Sequence, residues 1–264
     1  MSDSSPVATP AIMTEQLTRC FGNQIAVDRI DLRVEKGVIY GFLGPNGAGK
    51  STTIKMLTGL LRPDSGSIRV LGLDPAIDCE HLEIKRRTGV VPEGLTLFDN
   101  LTAVEQLTFV GRMFDMDRET IRKRSSELLE MMELDREVGK LTGEFSHGMR
   151  KKLALSIALL PNPDLLFLDE PFEGVDAVTS SVIRDLLLAF VRRGGTVFVT
   201  SHVLELVERL CTHVGIIVAG RLVEQTSLEE VRSGSSLEKR FLEKVGFKPD
   251  QSARLDWLEG GVAP

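Results

Sequence analysis

Gly44-Pro45-Asn46-Gly47-Ala48-Gly49-Lys50-Ser51 decides how the rest of this 264-residue chain is read. An apolar run, Val38-Ile39-Tyr40-Gly41-Phe42-Leu43, precedes it and reads as a buried strand. Ser51-Thr52-Thr53-Ile54-Lys55-Met56-Leu57 follows, with Ile54, Leu57 and Leu60 or Leu61 at helical spacing. Strand, glycine loop and helix form the context in which the pattern G-x-x-x-x-G-K-[ST] has chemical meaning. Glycines let the backbone curl until several N–H groups face one anion. The helix N-terminus adds unpaired donors and a partial positive charge. Lys50 brings a full charge to the terminal phosphates of a nucleotide, and the Ser51 hydroxyl can ligate Mg²⁺.

The hydrophobic content of 42% and charged content of 27% place the chain among ordinary globular proteins. The net charge of −6 argues against a broad basic footprint, so no nucleic-acid partner is expected. Cys20, Cys79 and Cys211 are odd in number and form no C-x-x-C pair. Neither a disulfide framework nor a zinc site is expected, and a reducing cytoplasm is the expected home. His81, His147 and His213 show no metal-ligand spacing. No apolar run reaches the roughly 18 residues of a membrane span. The polar, acidic start, Met1-Ser2-Asp3-Ser4-Ser5-Pro6, does not resemble a signal peptide. Any membrane-spanning part is expected to come from a partner.

Residues 1–10 are expected to be a disordered leader. Strands are expected at Ile12–Leu17, at Ile30–Val34 in an alternating, half-exposed pattern, and at Ser67–Leu71 after the turn Arg62-Pro63-Asp64-Ser65-Gly66. From about residue 98 to 145 the pattern turns helical. Thr102-Ala103-Val104-Glu105 is a capping box opening one helix, and Arg118–Met132 forms a second. Beyond it, helices and strands alternate: Ser146–Leu160, Leu165–Leu168, Val178–Arg193, Thr196–Thr200, Val203–Cys211 and Val214–Val218. Such alternation requires crossover connections and a parallel sheet, an α/β architecture. The tail from Ser227 carries capping boxes Ser227-x-x-Glu230 and Ser235-x-x-Glu238, then the only tryptophan, Trp257.

Leu165-Leu166-Phe167-Leu168-Asp169-Glu170-Pro171 is a buried strand ending in two carboxylates. Ligands of a parallel sheet sit beyond the carboxyl ends of its strands, so both acids arrive beside the phosphate loop. Asp169 can hold Mg²⁺, and Glu170 is placed to orient or deprotonate an attacking water. Farther back, Phe145-Ser146-His147-Gly148-Met149-Arg150 opens a helix with Ser146 as its N-cap.

That last stretch resembles the signature motif of ATP-binding cassette (ABC) proteins, and the remaining landmarks of the family follow in order. Phe21 matches the aromatic residue that stacks on adenine. Glu93 falls in the loop that usually carries glutamine. Gly174-Val175-Asp176 resembles the loop after the two acids, and His202 matches the switch histidine. The resemblance covers roughly residues 11–225 and is nearest to the stand-alone ATPase subunits of export-type transporters for drugs, antibiotics or polysaccharides. It implies a P-loop NTPase core with a mixed, mainly parallel sheet, an N-terminal antiparallel β subdomain and an inserted α-helical subdomain at about 98–145. The ATPase domain would run over 11–226, with a helical tail over 227–264.

By that resemblance, MgATP is bound by Phe21, Gly44, Pro45, Asn46, Gly47, Ala48, Gly49, Lys50, Ser51, Thr52 and Glu93. Ser51, Asp169 and Glu93 are the metal ligands, and Glu170, His202 and Lys50 the catalytic groups. The family pairs head to tail, as a homodimer or with a sister subunit, so that Ser146, Gly148 and Asp176 reach the partner's nucleotide. A separate transmembrane permease completes the machine, with the ATPase on the cytoplasmic face of the membrane. The sequence departs from the family at Glu93 in place of glutamine, and at His147 and Met149 in the signature. The contrasting expectation is a soluble cassette ATPase of cluster assembly or repair. A repair role would call for long coiled coils, yet fewer than a hundred residues separate Lys50 from Ser146. Gly94-Leu95-Thr96-Leu97-Phe98 is an apolar segment next to Glu93 and a candidate docking patch.

Overall fold

The computed structural model describes residues 9–234 and 236–246. The chain opens with a hairpin of β1 (Ile12–Phe21) and β2 (Gln24–Ile30), turned at Gly22-Asn23 with Gly22 at φ 58°. A two-residue loop of this kind needs the left-handed region, which glycine enters at no steric cost. β3 (Arg33–Val34) and, later in the chain, β5 (Ser65–Val70) also pair antiparallel with β1, giving a four-stranded antiparallel sheet.

Ile30–Val34 is therefore not one strand, and the alternating pattern there misleads. The Thr14 hydroxyl donates to the Ile30 carbonyl at 2.8 Å and accepts the Leu32 N–H at 3.0 Å. The Asp31 carboxylate takes the Gln16 N–H at 2.6 Å. Side chains replace the ladder there, and the chain bends between β2 and β3.

A second, six-stranded sheet carries the chemistry. Its order is β10-β9-β4-β8-β7-β6, with β4 (Ile39–Leu43), β6 (Thr88–Val91), β7 (Leu165–Asp169), β8 (Thr196–Ser201), β9 (His213–Val218) and β10 (Arg221–Ser227). All neighbours are parallel except β10, which runs antiparallel to β9. β4, β7 and β8 are buried along their whole length, as strands covered on both faces must be.

Side-chain alternation splits the interior in two. Leu166 and Leu168 join one core with Ile39, Leu43, Val197 and Val199. Leu165 and Phe167 join the other with Tyr40, Phe42 and Phe198. The second core is closed by α1 (Lys50–Leu57) and by the antiparallel sheet. α5 (His147–Leu159), α6 (Ala177–Arg192) and α7 (Leu204–Leu210) cover the first. Each Leu or Phe fully withdrawn from water in these layers contributes about 1.5–3 kcal/mol.

The helical unit is built from α3 (Ala103–Met113) and α4 (Arg118–Met131), packed on α5. α3 opens on the expected capping box of Thr102 and Glu105. Gly111 lets α3 approach α4, since a Cβ there would meet Ile121 at 2.6 Å. α5 runs from this unit back to β6, so one rigid rod joins the helical layer to the sheet.

Besides β2, which no expected strand covered, three further elements were not legible. α2 (Asp78–Arg87) buries only Ile84, so it has no apolar stripe to read. β6 is four residues long, and β10 is mostly polar. α8 (Leu228–Gly234) starts where Ser227 Oγ accepts the Glu230 N–H at 3.2 Å. α9 (Leu237–Val245) is capped by Ser236, one residue beyond the expected cap. Ser235, Trp257 and all but the last two residues of the expected leader lie outside the described residues.

Candidate functional site

β4 ends at Leu43 and α1 begins at Lys50, so the glycine stretch is the connection between them. Its glycines have separate reasons. A Cβ on Gly44 would run into the Ile217 carbonyl, and one on Gly49 into the Ala26 carbonyl. Gly47 and Gly49 sit at φ +77° and +107°. No side chain caps α1, so its first N–H groups are free to receive an anion.

Lys50 is 6% exposed, and its ammonium donates to the Gly44 carbonyl at 2.8 Å and the Pro45 carbonyl at 3.3 Å. It also stands 3.2 Å from Glu170 Oε1. That oxygen is buried yet makes no hydrogen bond, so the contact is Coulombic rather than directional. His202 Nδ1 lies 3.1 Å from the other oxygen, Glu170 Oε2. A buried carboxylate is thus flanked by the two groups that the sequence placed at the terminal phosphate.

The backbone around Glu170 is held on both sides. Its N–H donates to Thr200 Oγ1 at 3.0 Å, and the same hydroxyl donates to Asp169 Oδ1 at 2.6 Å. Its carbonyl accepts Lys151 Nζ at 2.7 Å. Glu170 itself occupies φ +47°, a left-handed conformation that costs a non-glycine residue about 1–3 kcal/mol. The hydrogen bonds on either side over-determine that conformation.

Thr200 and Lys151 are site residues the sequence reading missed. Thr200 is placed by register, since β7 and β8 pair Asp169 with Thr200. Lys151 comes from the first turns of α5 and is 3% exposed. Burial pushes its ammonium down, while the carboxylates of Glu173, Glu170, Glu93 and Asp169 pull it back up. A lysine in α5 touching the end of β7 was not recognisable before the two elements were seen together.

A cavity of about 480 Å³ gathers Phe21, Asn46, Gly47, Gly49, Lys50, Ser51, Thr52, Glu93 and Glu170, joined by Gln24 and Ala26. Phe21 is half exposed at its mouth, and Glu93 is exposed on the loop after β6. Ser146, Gly148 and Asp176 line no part of it.

Those three meet elsewhere, where the tips of α5 and α6 abut. Ser146 Oγ accepts the Met149 N–H at 3.3 Å and caps α5. Asp176 caps α6, accepting the Val178 and Thr179 N–H groups at 2.9 Å and the Thr179 hydroxyl at 2.8 Å. The bonds from Thr179 hold its carboxyl below the ordinary range. A Cβ on Gly148 would stand 3.1 Å from Thr179 Oγ1, so the two tips are in contact. His147, which breaks the signature pattern, points its Nε2 at the Glu173 carbonyl at 3.3 Å.

Comparison with known proteins now decides the family. The family model described as ABC transporter matches residues 27–173. The chain belongs to the ABC transporter family. It is 39% identical over 233 residues to the bacitracin transport ATP-binding protein BcrA of Bacillus licheniformis, covering 88% of this chain and 74% of that one. It is 37% identical over 225 residues to the daunorubicin/doxorubicin resistance ATP-binding protein DrrA of Streptomyces peucetius, covering 85% and 68%. A solved ATP binding subunit of an ABC transporter superposes with a TM-score of 0.81 at 28% identity, over 89% of this chain and 99% of that one.

This ABC protein is therefore an ATP-binding and ATP-hydrolysing subunit of a transporter, with the expected P-loop NTPase fold. The contrasting reading, a cluster-assembly or repair ATPase, gains nothing from these relatives. No helix among the described residues is long and apolar enough to cross a membrane. An ATP-binding transporter subunit of this kind works with a membrane permease.

Proposed function

We propose that this ABC subunit powers export by closing on MgATP as one half of a head-to-tail pair, with Lys50 and Glu170 exchanging partners when the nucleotide arrives. The single observation that carries this is the chain of contacts in which the buried Lys50 and Glu170 stand 3.2 Å apart and the exposed His202 reaches Glu170 at 3.1 Å. Without phosphates, Lys50 is neutralised by Glu170. A triphosphate on the Gly44–Ser51 loop offers Lys50 a stronger partner and leaves Glu170 to accept a proton from water. The water oxygen attacks the γ-phosphorus, the bond to the β-bridging oxygen breaks, and ADP and phosphate leave. His202 then contacts the transferred group. Phe21 stacks on the base, and Glu93, at the cavity rim, reaches the phosphates or their metal.

The donor set fits Mg²⁺. That ion takes few protein oxygens and keeps the rest of its shell for phosphate and water. No cluster of three or more His, Cys, Asp or Glu that could cage a metal exists among the described residues. Ser51, Asp169 and Glu93 would hold the ion as it comes with the nucleotide, and when bound it neutralises developing phosphate charge.

Export as the direction follows from the relatives, which are named for bacitracin transport, daunorubicin resistance and Nod factor export. The pair is a homodimer or a heterodimer with a sister subunit. It sits on the cytoplasmic face of the membrane beneath its permease. The ATPase domain is assigned to 11–226, with the helical subdomain at 98–145 and the tail at 227–264. The permease contact is assigned to Phe98, which is 52% exposed and packs edge-on to Phe109 on α3. Leu95 and Leu97 of the same segment turn inward against the core.

Equilibrium binding of labelled ATP to Lys50→Ala tests the central site. Tight binding is expected to disappear. Unchanged affinity would overturn the assignment of the cavity to nucleotide.

A further inference from the structure

Phe21 is not presented to the cavity by its strand alone. We infer that Arg19 is a positioning residue for the nucleotide base, holding the Phe21 ring from behind in a cation–π stack. This rests on the reading of Phe21 as the base-stacking residue.

The guanidinium carbon of Arg19 lies 4.9 Å from the Phe21 ring centroid. Phe21 lines the cavity and Arg19 does not, and we take the cation to cover the face turned away from the ligand space. Arg19 is itself clamped. Its Nη1 donates to Asp64 Oδ1 at 2.7 Å and to the Arg62 carbonyl at 3.2 Å. Asp64 also fixes the intervening residue, accepting the Cys20 N–H at 2.6 Å on Oδ2. One carboxylate from the turn before β5 therefore holds both the arginine and the backbone beside it. Register shifts in the β1–β2 ladder fall on either side of Arg19, and irregularities of this kind re-aim side chains.

Arg19 Nε is buried and has no hydrogen-bond partner. A guanidinium placed only to pair with Asp64 could turn that donor to an acceptor. Instead the guanidinium carbon sits over the ring and that donor stays unpaired, so the pairing with Asp64 does not by itself account for the placement. The consequence for binding is twofold. Phe21 is about half exposed at the cavity mouth, and with its back face held it need not be ordered by the nucleotide. The cation also draws π-density to the rear face, which favours an electron-rich purine on the front.

The test compares dissociation constants for ATP and for inorganic tripolyphosphate, which shares the phosphates and lacks the base. Arg19→Ala is expected to weaken ATP binding by about two- to fivefold, the range of an exposed cation–π contact. Tripolyphosphate binding should not change. Phe21→Ala should weaken ATP at least as much, and the double variant should be no worse than Phe21→Ala alone. Arg19→Lys, which keeps a cation near Asp64, should recover part of the loss and guards against a folding defect in the alanine variant. Equal weakening of ATP and tripolyphosphate, or fully additive effects of the two alanine changes, would overturn the role of Arg19. So would normal ATP binding by Arg19→Ala beside a weakened Phe21→Ala. A Phe21→Ala variant that binds ATP normally would instead remove the base-stacking assignment from which the inference starts.

Discussion

The end of β7 and the tips of α5 and α6 are both built from short polar side chains at element termini, yet they are finished to different degrees. Around Asp169 and Glu170 the polar contacts come from other elements of the same chain, from Thr200, Lys151, Lys50 and His202, and both acids are almost fully withdrawn from water. Ser146 and Asp176, by contrast, are exposed, and their side chains serve only their own helix starts. The first region is a site within one chain. The second is a pre-shaped surface of helix N-termini with nothing in this chain to bind. The contrast teaches that folding alone completes the contacts of the first region, whereas the second leaves two helix N-termini open, as the proposed head-to-tail pairing requires.

The comparison breaks most sharply at Glu170. Glu170→Gln should lower ATP turnover by roughly 10²–10⁴-fold, the range for loss of a general base, while nucleotide binding persists. Near-normal steady-state hydrolysis would remove Glu170 as the base. At the other region, Ser146→Arg should leave ATP binding by the isolated subunit intact. It should cost on the order of 10²-fold in turnover, comparable to losing a transition-state donor. Sedimentation of a Glu170→Gln, Ser146→Arg double variant with MgATP checks the cause: it should remain monomeric where Glu170→Gln pairs.

Smaller effects sharpen the distinction. Thr200→Val removes one hydroxyl that serves both acids at once. It should destabilise the fold by about 1–3 kcal/mol, because the Glu170 N–H loses its acceptor in the interior. Turnover should also fall, as Asp169 loses its 2.6 Å anchor. Denaturant midpoints together with turnover read both. The smallest effect is acid sensitivity at Asp176. Its carboxyl is held low by bonds that exist only in the folded chain. The stabilisation it supplies is therefore complete above its unfolded pKa and fades as pH falls through its lowered folded value. Asp176→Asn should flatten the acid side of the melting-temperature profile, and an unchanged profile would show that the cap carries no pH-dependent stability.

Much of the site was legible because its chemistry is local. The phosphate loop needs glycine at fixed offsets from Lys50, and the acids must follow a buried strand, so both are written within eight residues. The capping boxes are local too, and the one at Thr102 stands as read. Elements without a periodic apolar pattern were lost: α2 with one buried residue, β10 with a polar face. Ile30–Val34 failed for the opposite reason, since it shows a clean alternation that Thr14 and Asp31 interrupt from another strand.

Sequence alone determined which residue types stand at the proposed phosphate and water-activating positions and in what order they arrive. Those properties belong to side-chain type and to spacings of a few bonds. Tertiary structure decided who stands next to whom across the sheet. Thr200 anchors Asp169 because β8 lies beside β7 in that register, and Lys151 supports Glu170 because α5 packs over the strand end. Glu170 faces Lys50 because two strand ends, more than a hundred residues apart in the chain, converge at the carboxyl end of the parallel sheet with β8 between them. No short window contains that distance, since it is set by the packing of two cores on either side of β4, β7 and β8.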